Sequence, residues 1–294
     1  MDDAARRAAL SDLYALPGHL LWRAAARVSV ELDRILPGGM DIHAYAVLVA
    51  LADQEPQSQR SLAMVTGVSG TTVTSVAQTL QRDALIERVR NPDDRRSYSL
   101  TRTVAGRDAV RRWAPHVDRL EEKLTAGFAP GEASRLRDLL IRVIGEQLDE
   151  RTPQALLDST GFLVTRAQQY AHRTFLTALQ PLAIEPRHFG TMRALRIAGP
   201  ATQGQLGALL DVSAATVVQI VDHLEERGLV TRERDPADRR VYRLHLTADA
   251  ERVVEEATEL SVQVLADRLG AADSPECKDL VRLLQLLLPE GSSR

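Results

Sequence analysis

The sequence predicts a mainly α protein with small β wings, built twice within one chain. Three observations predict it. Aromatic residues are only 4% of the 294 positions while hydrophobic residues are 44%, so the core must be Leu, Val, Ile and Ala, a composition that favours helices over aromatic-rich sheets. Apolar residues recur at three- and four-residue spacing through long stretches. Finally, Asn91-Pro92-Asp93-Asp94-Arg95-Arg96-Ser97-Tyr98-Ser99-Leu100 returns 144 residues later as Asp235-Pro236-Ala237-Asp238-Arg239-Arg240-Val241-Tyr242-Arg243-Leu244. A period near half the chain length means a duplicated domain rather than a short motif.

The offset holds outward from that string. Ser69-Gly70-Thr71-Thr72-Val73 pairs with Ser213-Ala214-Ala215-Thr216-Val217, and Tyr45, Leu48 and Leu51 pair with Phe189, Met192 and Leu195. Two units follow, 1–151 and 152–294, joined near Thr152-Pro153 without a Gly/Ser-rich tether. Each opens with a long helix, expected over 11–36 and 154–182. A second helix starts near Asp41, a good N-cap, or Pro186, suited to the first helical position. A third, short helix covers 58–66 or 202–210. The fourth starts at Ser69 or Ser213 and runs to 82 or 227, with Val73, Val76, Ala77 and Leu80 (Val217, Ile220, Val221 and Leu224) on one face. Two strands flank the repeated string. Helices over 103–127 and 132–150, then 248–270 and 275–289, close the units, with breaks at Pro130-Gly131 and at Ala271 to Pro275.

The third helix, a tight turn and the fourth helix form a helix-turn-helix. Gly67 supplies the positive φ that the turn requires, and Asp211 stands at the matching place. A fourth helix docked in a major groove turns its N-terminal side chains to base edges and phosphates. Those are Ser69, Thr71, Thr72, Ser75 and Gln78, and in the second unit Ser213, Thr216 and Gln219, with His223 further along. The repeated string is a wing. Asp94 and Asp238 each stand two residues before an arginine, Arg96 or Arg240, and can hold its guanidinium in one orientation for a narrow minor groove. Arg95 and Arg239 can reach phosphates. Net charge is only −3, but from 82 to 112 nine arginines face five acids, and from 227 to 252 seven face five. Positive charge is thus gathered at the wings, as contact with duplex DNA requires.

This order of elements, with a wing ending Asp-Pro-x-Asp-Arg-Arg and a threonine following (Thr247, with Thr103 at the matching place), resembles the MarR family of winged helix-turn-helix transcription regulators. The likeness covers nearly the whole chain, twice. It implies a pseudo-two-fold version of a dimer within one polypeptide, so that a single chain suffices, with further dimerisation open. It further implies a cytoplasmic repressor whose partner is an imperfect palindromic operator, and a small aromatic or phenolic effector held where the first and second helices and the helix after the wing meet. Candidates there are Trp22, His43, Tyr45 and Trp113, and Tyr170, His172, His188 and Phe189. Ser75 and Gln219 depart from the family, which often has a basic residue in the recognition helix. The alternative reading is an effector- or protein-binding winged-helix module that has lost DNA binding.

Other classes find little support in the residues. The seven histidines have no ligand spacing with an acidic partner, so no metal or other cofactor is expected. No nucleophile elbow or phosphate-cradling glycine loop is present, which argues against an enzyme. One cysteine, Cys277, excludes an internal disulfide. The N-terminus lacks the apolar run of a signal peptide, and no apolar stretch approaches a membrane span.

Overall fold

The computed structural model describes residues 8–9, 11–37, 40–51, 55–90, 98–210, 212–235 and 241–288. It is helical with two antiparallel two-stranded hairpins. Tight packing divides the chain into Ala24–Ala167 and a split unit, Met1–Arg23 with Gln168–Arg294. These divisions fall inside helices, whereas the sequence repeat turns over at Thr152-Pro153.

In the 24–167 unit, α1 (Pro17–Ile35) leads in and α2 (Ile42–Ala50) follows. Asp41 caps α2, its carboxylate accepting the His43 N–H at 2.8 Å. Residues 44–50 of α2 are all buried, so it is the central helix of the unit. Against it pack α3 (Gln59–Thr66) and α4 (Gly70–Arg82). Strands β1 (Ile86–Arg90) and β2 (Tyr98–Arg102) pair with Arg88 opposite Leu100, and Gln57 adds a bridge to Leu100. Helices α5 (Val104–Thr125) and α6 (Glu132–Ile144) follow, then a short α7 (Gln154–Leu157) and the start of α8 (Thr160–Ala178). Leu48, Leu62, Val65, Val73, Leu80 and Leu100 are at most 1% exposed and form one core. Burying such side chains stabilises by roughly 1.5–3 kcal/mol each.

The split unit repeats the order. After α8 come α9 (Pro186–Ala198), α10 (Gln203–Leu210), α11 (Ala214–Glu226), β3 (Val230–Arg234), β4 (Tyr242–Leu246), α12 (Ala248–Leu269) and α13 (Pro275–Leu287). Ala201 bridges to Leu244 as Gln57 does to Leu100. The N-terminal segment is held by polar bonds as well as by buried Leu13. Arg193 of α9 is 7% exposed, and its guanidinium donates to Asp12 Oδ1 at 2.8 Å and to Thr258 Oγ1 at 2.7 Å. Gln285 of α13 donates to the Tyr14 carbonyl at 3.2 Å. A buried guanidinium without such partners would be severely destabilising.

The opening helices are shorter than the periodicity suggested. Residues 11–13 are helical, then the chain breaks before Pro17 starts α1. Proline suits a first helical turn and disfavours helix in the residue before it. The stretch expected as a helix over 154–182 is α7, a break, α8 and a 3-10 turn at Gln180–Leu182. Ser159 Oγ accepts the Phe162 N–H at 3.3 Å, a side-chain bond that competes with helix continuation, and Pro181 lacks the N–H needed to extend α8. Likewise α6 stops at Gly145, whose φ of 55° leaves the helical region, and not at 150.

Candidate nucleic-acid interface

Both helix-turn-helix elements are built by the same local bonds. Ser69 caps α4, its hydroxyl accepting the Thr72 N–H at 3.1 Å. Ser213 caps α11, accepting the Thr216 N–H at 3.2 Å. These bonds satisfy orphan donors of a first turn. The turn before α4 runs through Gly67, at φ 65°; Asp211 lies outside the described residues. Each recognition helix ends in the same C-terminal motif. Leu85 N–H reaches the Leu80 carbonyl at 2.8 Å across Ala84, and Leu229 N–H reaches the Leu224 carbonyl at 2.9 Å across Gly228. The intervening residue is left-handed in both cases, φ 55° at Ala84 and 67° at Gly228.

The repeated threonines after the wings have a structural task. Thr103 caps α5 by accepting the Gly106 N–H at 3.0 Å and donates to the Ala84 carbonyl at 2.8 Å. Thr247 does the same with Ala250 N–H, 3.2 Å, and the Gly228 carbonyl, 2.8 Å. Each therefore ties the end of a recognition helix to the start of the helix behind the wing.

Ser69, Thr71, Ser75 and Gln78 are exposed on α4, as are Ser213 and Gln219 on α11. Thr72 and Thr216 are half-buried, and their hydroxyls bond the capping serines at 2.8 Å, so they shape the helix start as well as facing outward. Three further residues of this surface were not predicted. Val218 is 42% exposed on α11, at the place of Thr74, and an exposed apolar group there can meet a thymine methyl. Tyr98 and Tyr242 are 55% and 45% exposed on β2 and β4. Tyr242 has the Arg234 guanidinium 6.0 Å from its ring centroid, which ranks it with stacking platforms. Both tyrosines belong to the repeated string, so the duplication was the available signal.

Not every arginine near the wings faces outward. Arg232 on β3 donates to Asp222 at 2.5 Å and also bonds Glu225, both on α11. The Asp222 hydrogen bond, with Glu225 beside it, pushes its pKa further up. The matching positions in the other unit are Arg88, Gln78 and Gln81, so Arg88 has no carboxylate at those two places and is exposed. Arg243 Nε donates to Asp235 Oδ2 at 2.6 Å, and Asp235 N–H closes the wing base on the Val241 carbonyl at 2.9 Å. The tips themselves, Asp94, Arg95 and Arg96 with Asp238, Arg239 and Arg240, lie outside the described residues.

The split unit contains a cavity of about 350 Å³. Trp22, His172 and Phe189 line it, together with His19, Phe175 and Gly190. Burial, with Arg23 nearby, brings the His19 pKa to about 4. Phe175 meets Phe189 edge-on at 5.3 Å. The remaining ligand candidates lie elsewhere. Tyr45 packs beside Trp113 in an apolar cluster of the 24–167 unit, and His43 is half of the α2 cap. Tyr170 is buried, with Arg268 5.8 Å over its ring. His188 is 2% exposed, stacks on His223 at 4.4 Å, and accepts the Glu185 N–H on Nδ1 at 3.0 Å. Among the described residues no three His, Cys, Asp or Glu side chains come together as a metal site. Cys277 is buried, which raises its thiol pKa.

Comparison with known proteins places this geometry. The MarR family model matches residues 38–97 and again 184–241, each match spanning second helix, helix-turn-helix and the first strand of the wing. The chain is 34% identical over 89 residues to the HTH-type transcriptional regulator YsmB of Bacillus subtilis, covering 30% of this chain and 61% of that protein. It is 29% identical over 149 residues to the putative transcriptional regulatory protein for the hcr operon of Thauera aromatica, 49% of this chain and 88% of that one. Among solved structures it is similar to the transcriptional repressor CouR bound to a 23-mer DNA duplex, 30% identical over 44% of this chain and 89% of that chain, TM-score 0.39. CouR from Rhodococcus jostii RHA1 has also been solved with p-coumaroyl-CoA, 30% identical over 39% and 81%, TM-score 0.36. With one family model matched twice, each time across a capped recognition helix and the first wing strand, the chain belongs to the MarR family of transcription regulators and carries two MarR units in a single polypeptide.

Proposed function

We propose that this chain is a sequence-specific repressor that binds duplex DNA through α4 and α11 and is released by a small aromatic effector. The observation that carries the reading is the pair of recognition helices with identical Ser caps and C-terminal locks, each presenting short polar side chains to solvent. A cap-ordered helix N-terminus with exposed hydroxyls and amides suits base edges and phosphates of a major groove. Arg96 and Arg240 enter the minor groove, oriented by Asp94 and Asp238, and Arg95 and Arg239 bind phosphates. One chain supplies both halves of the binding unit, and its operator has two half-sites about one helical turn apart. The aromatic-lined cavity of the split unit is the effector site, and a ligand there releases DNA by favouring the state that binds DNA less well.

Selection of bound sequences from a random duplex pool tests this, followed by titration of the selected DNA at several salt concentrations. Two unlike half-sites and a steep negative salt slope are expected, since phosphate neutralisation releases counterions. Recovery of no enriched sequence, with a flat salt dependence, would leave a protein- or effector-binding module instead. A reporter fused to the selected operator separates repression from activation.

A further inference from the structure

The two repeats differ most where a ligand cavity forms. In the opening helices their burial patterns coincide at an offset of 143: Leu20, Leu21 and Ala24 match Leu163, Val164 and Ala167, all at most 1% exposed. The connection before α9 is one residue longer than that before α2, which restores the offset of 144. This register sets His19 against Phe162, Gly18 against Gly161, and Gly190 against Ala46.

The same places are open in one unit and filled in the other. Gly18 and Gly190 both line the cavity of the split unit, and a Cβ built on either meets nothing within 4 Å. A Cβ on Gly161 meets Val28 and Leu124 at 3.4 Å. Ala46 is buried, and Phe162 packs into the cluster of Tyr45, Ala46 and Leu156, with Trp113 and Val117 beside it. A polar latch holds this segment: Glu121 accepts the Thr160 N–H at 2.9 Å and the Thr160 hydroxyl at 2.5 Å, and Arg137 donates to the same carboxylate at 3.1 Å. In the split unit the matching residues are Leu265 and Pro17, which have neither the carboxylate nor the N–H, so the latch has no equivalent there.

We propose that the chain carries one effector site and not two. The cavity of the split unit takes a small aromatic anion, and its counterpart in the 24–167 unit is filled by the protein's own Phe162. The proposal rests on reading the cavity as an effector site. The ligand chemistry follows from the lining: Trp22, Phe175 and Phe189 offer ring faces and edges, His172 offers a donor, Arg187 offers the N–H groups beyond the Nε that pairs with Glu185 at 2.8 Å, and among the described residues none that lines it is acidic. A ring system bearing a carboxylate or sulfonate satisfies both features. Duplication has left one half responsive and has sealed the other with its own side chain.

The test is a fluorescence titration of the full chain with 1-anilinonaphthalene-8-sulfonate, an aromatic anion, at protein concentrations high enough to read stoichiometry. One equivalent per chain is expected for the wild type. Gly190→Phe, which places a ring in the open space, should lower binding at least tenfold. Phe162→Ala should raise the stoichiometry to two, with circular dichroism confirming that each variant is folded. Two equivalents on the wild type, undiminished binding by a folded Gly190→Phe, or a folded Phe162→Ala that still binds one, would each overturn the single-site proposal. No binding to the wild type would overturn the cavity as an anion site. Mobility shift with the selected operator is read in parallel on the dye-free protein: no DNA binding by a chain that takes up one equivalent of dye sinks the repressor reading alone, and DNA binding by a chain that takes up two equivalents sinks only the single-site inference.

Discussion

At the scale of single residues, the repeat acts as an internal control. Ala84 and Gly228 occupy the same left-handed position after their recognition helices, yet only one is glycine. A left-handed L-residue costs about 1–2 kcal/mol, part of which a glycine returns as unfolded-state entropy. Ala84→Gly should therefore stabilise the chain by up to about 1 kcal/mol, visible as a higher urea midpoint; an unchanged or lower midpoint contradicts the strain. His188 offers a second case. Burial first, then the stacked His223, brings its pKa from 6.5 to about 4, while Glu185 opposes and Arg187 and Arg227 add to the effect. The folded state thus favours neutral imidazole. Its stabilising contribution is complete above pH 6.5 and is lost as pH falls from there toward 4. His188→Asn should flatten the acid side of the stability profile over that interval, measured by urea unfolding at a series of pH values.

Elements differ between the halves in ways that composition conceals. Arg88 and Arg232 contribute equally to a charge count, but Arg232 is neutralised by Asp222 and Glu225, whereas the first unit has the neutral Gln78 and Gln81 at the matching places. Arg88→Ala should weaken DNA binding and reduce the salt slope by about 1, whereas Arg232→Ala should leave the slope unchanged; fluorescence anisotropy across a salt series reads both. At the wing tips, Arg96→Ala or Arg240→Ala should each cost about 1–3 kcal/mol of operator binding, and an unaltered Kd in either variant removes that arginine from the contact. The helix-turn-helix and its capping serines were legible because caps and turns are local chemistry. The opening helices were over-extended because apolar periodicity continues through Pro17 and Ser159, where the backbone does not. The cavity was only partly legible: Trp22, His172 and Phe189 were singled out, but Gly18 and Gly190 carry no chemical signature, and the space they leave depends on neighbours far away in sequence.

For the whole molecule, duplication without identity has a consequence for the DNA. The exposed faces of α4 and α11 differ at most positions, Thr74 against Val218 and Gln78 against Asp222 among them, so the two half-sites should differ too. An operator made by doubling either half-site should bind about tenfold or more weakly than the selected asymmetric one, since each wrong base pair costs roughly 1–3 kcal/mol; equal affinity for the doubled sites contradicts unequal reading. The sequence repeat announced this duplication, but it did not announce that the first residues pack with the last. The Asp12–Arg193 pair joins groups 181 residues apart, and a charged partnership across that separation leaves no periodic trace. It has a consequence for biosynthesis. A ribosome releases Asp12 long before it has made Arg193, so the leading segment stays unpaired throughout most of translation while residues 24–167 can already compact. Messages truncated soon after codon 167 would therefore yield a folded middle with a dangling, protease-sensitive leader.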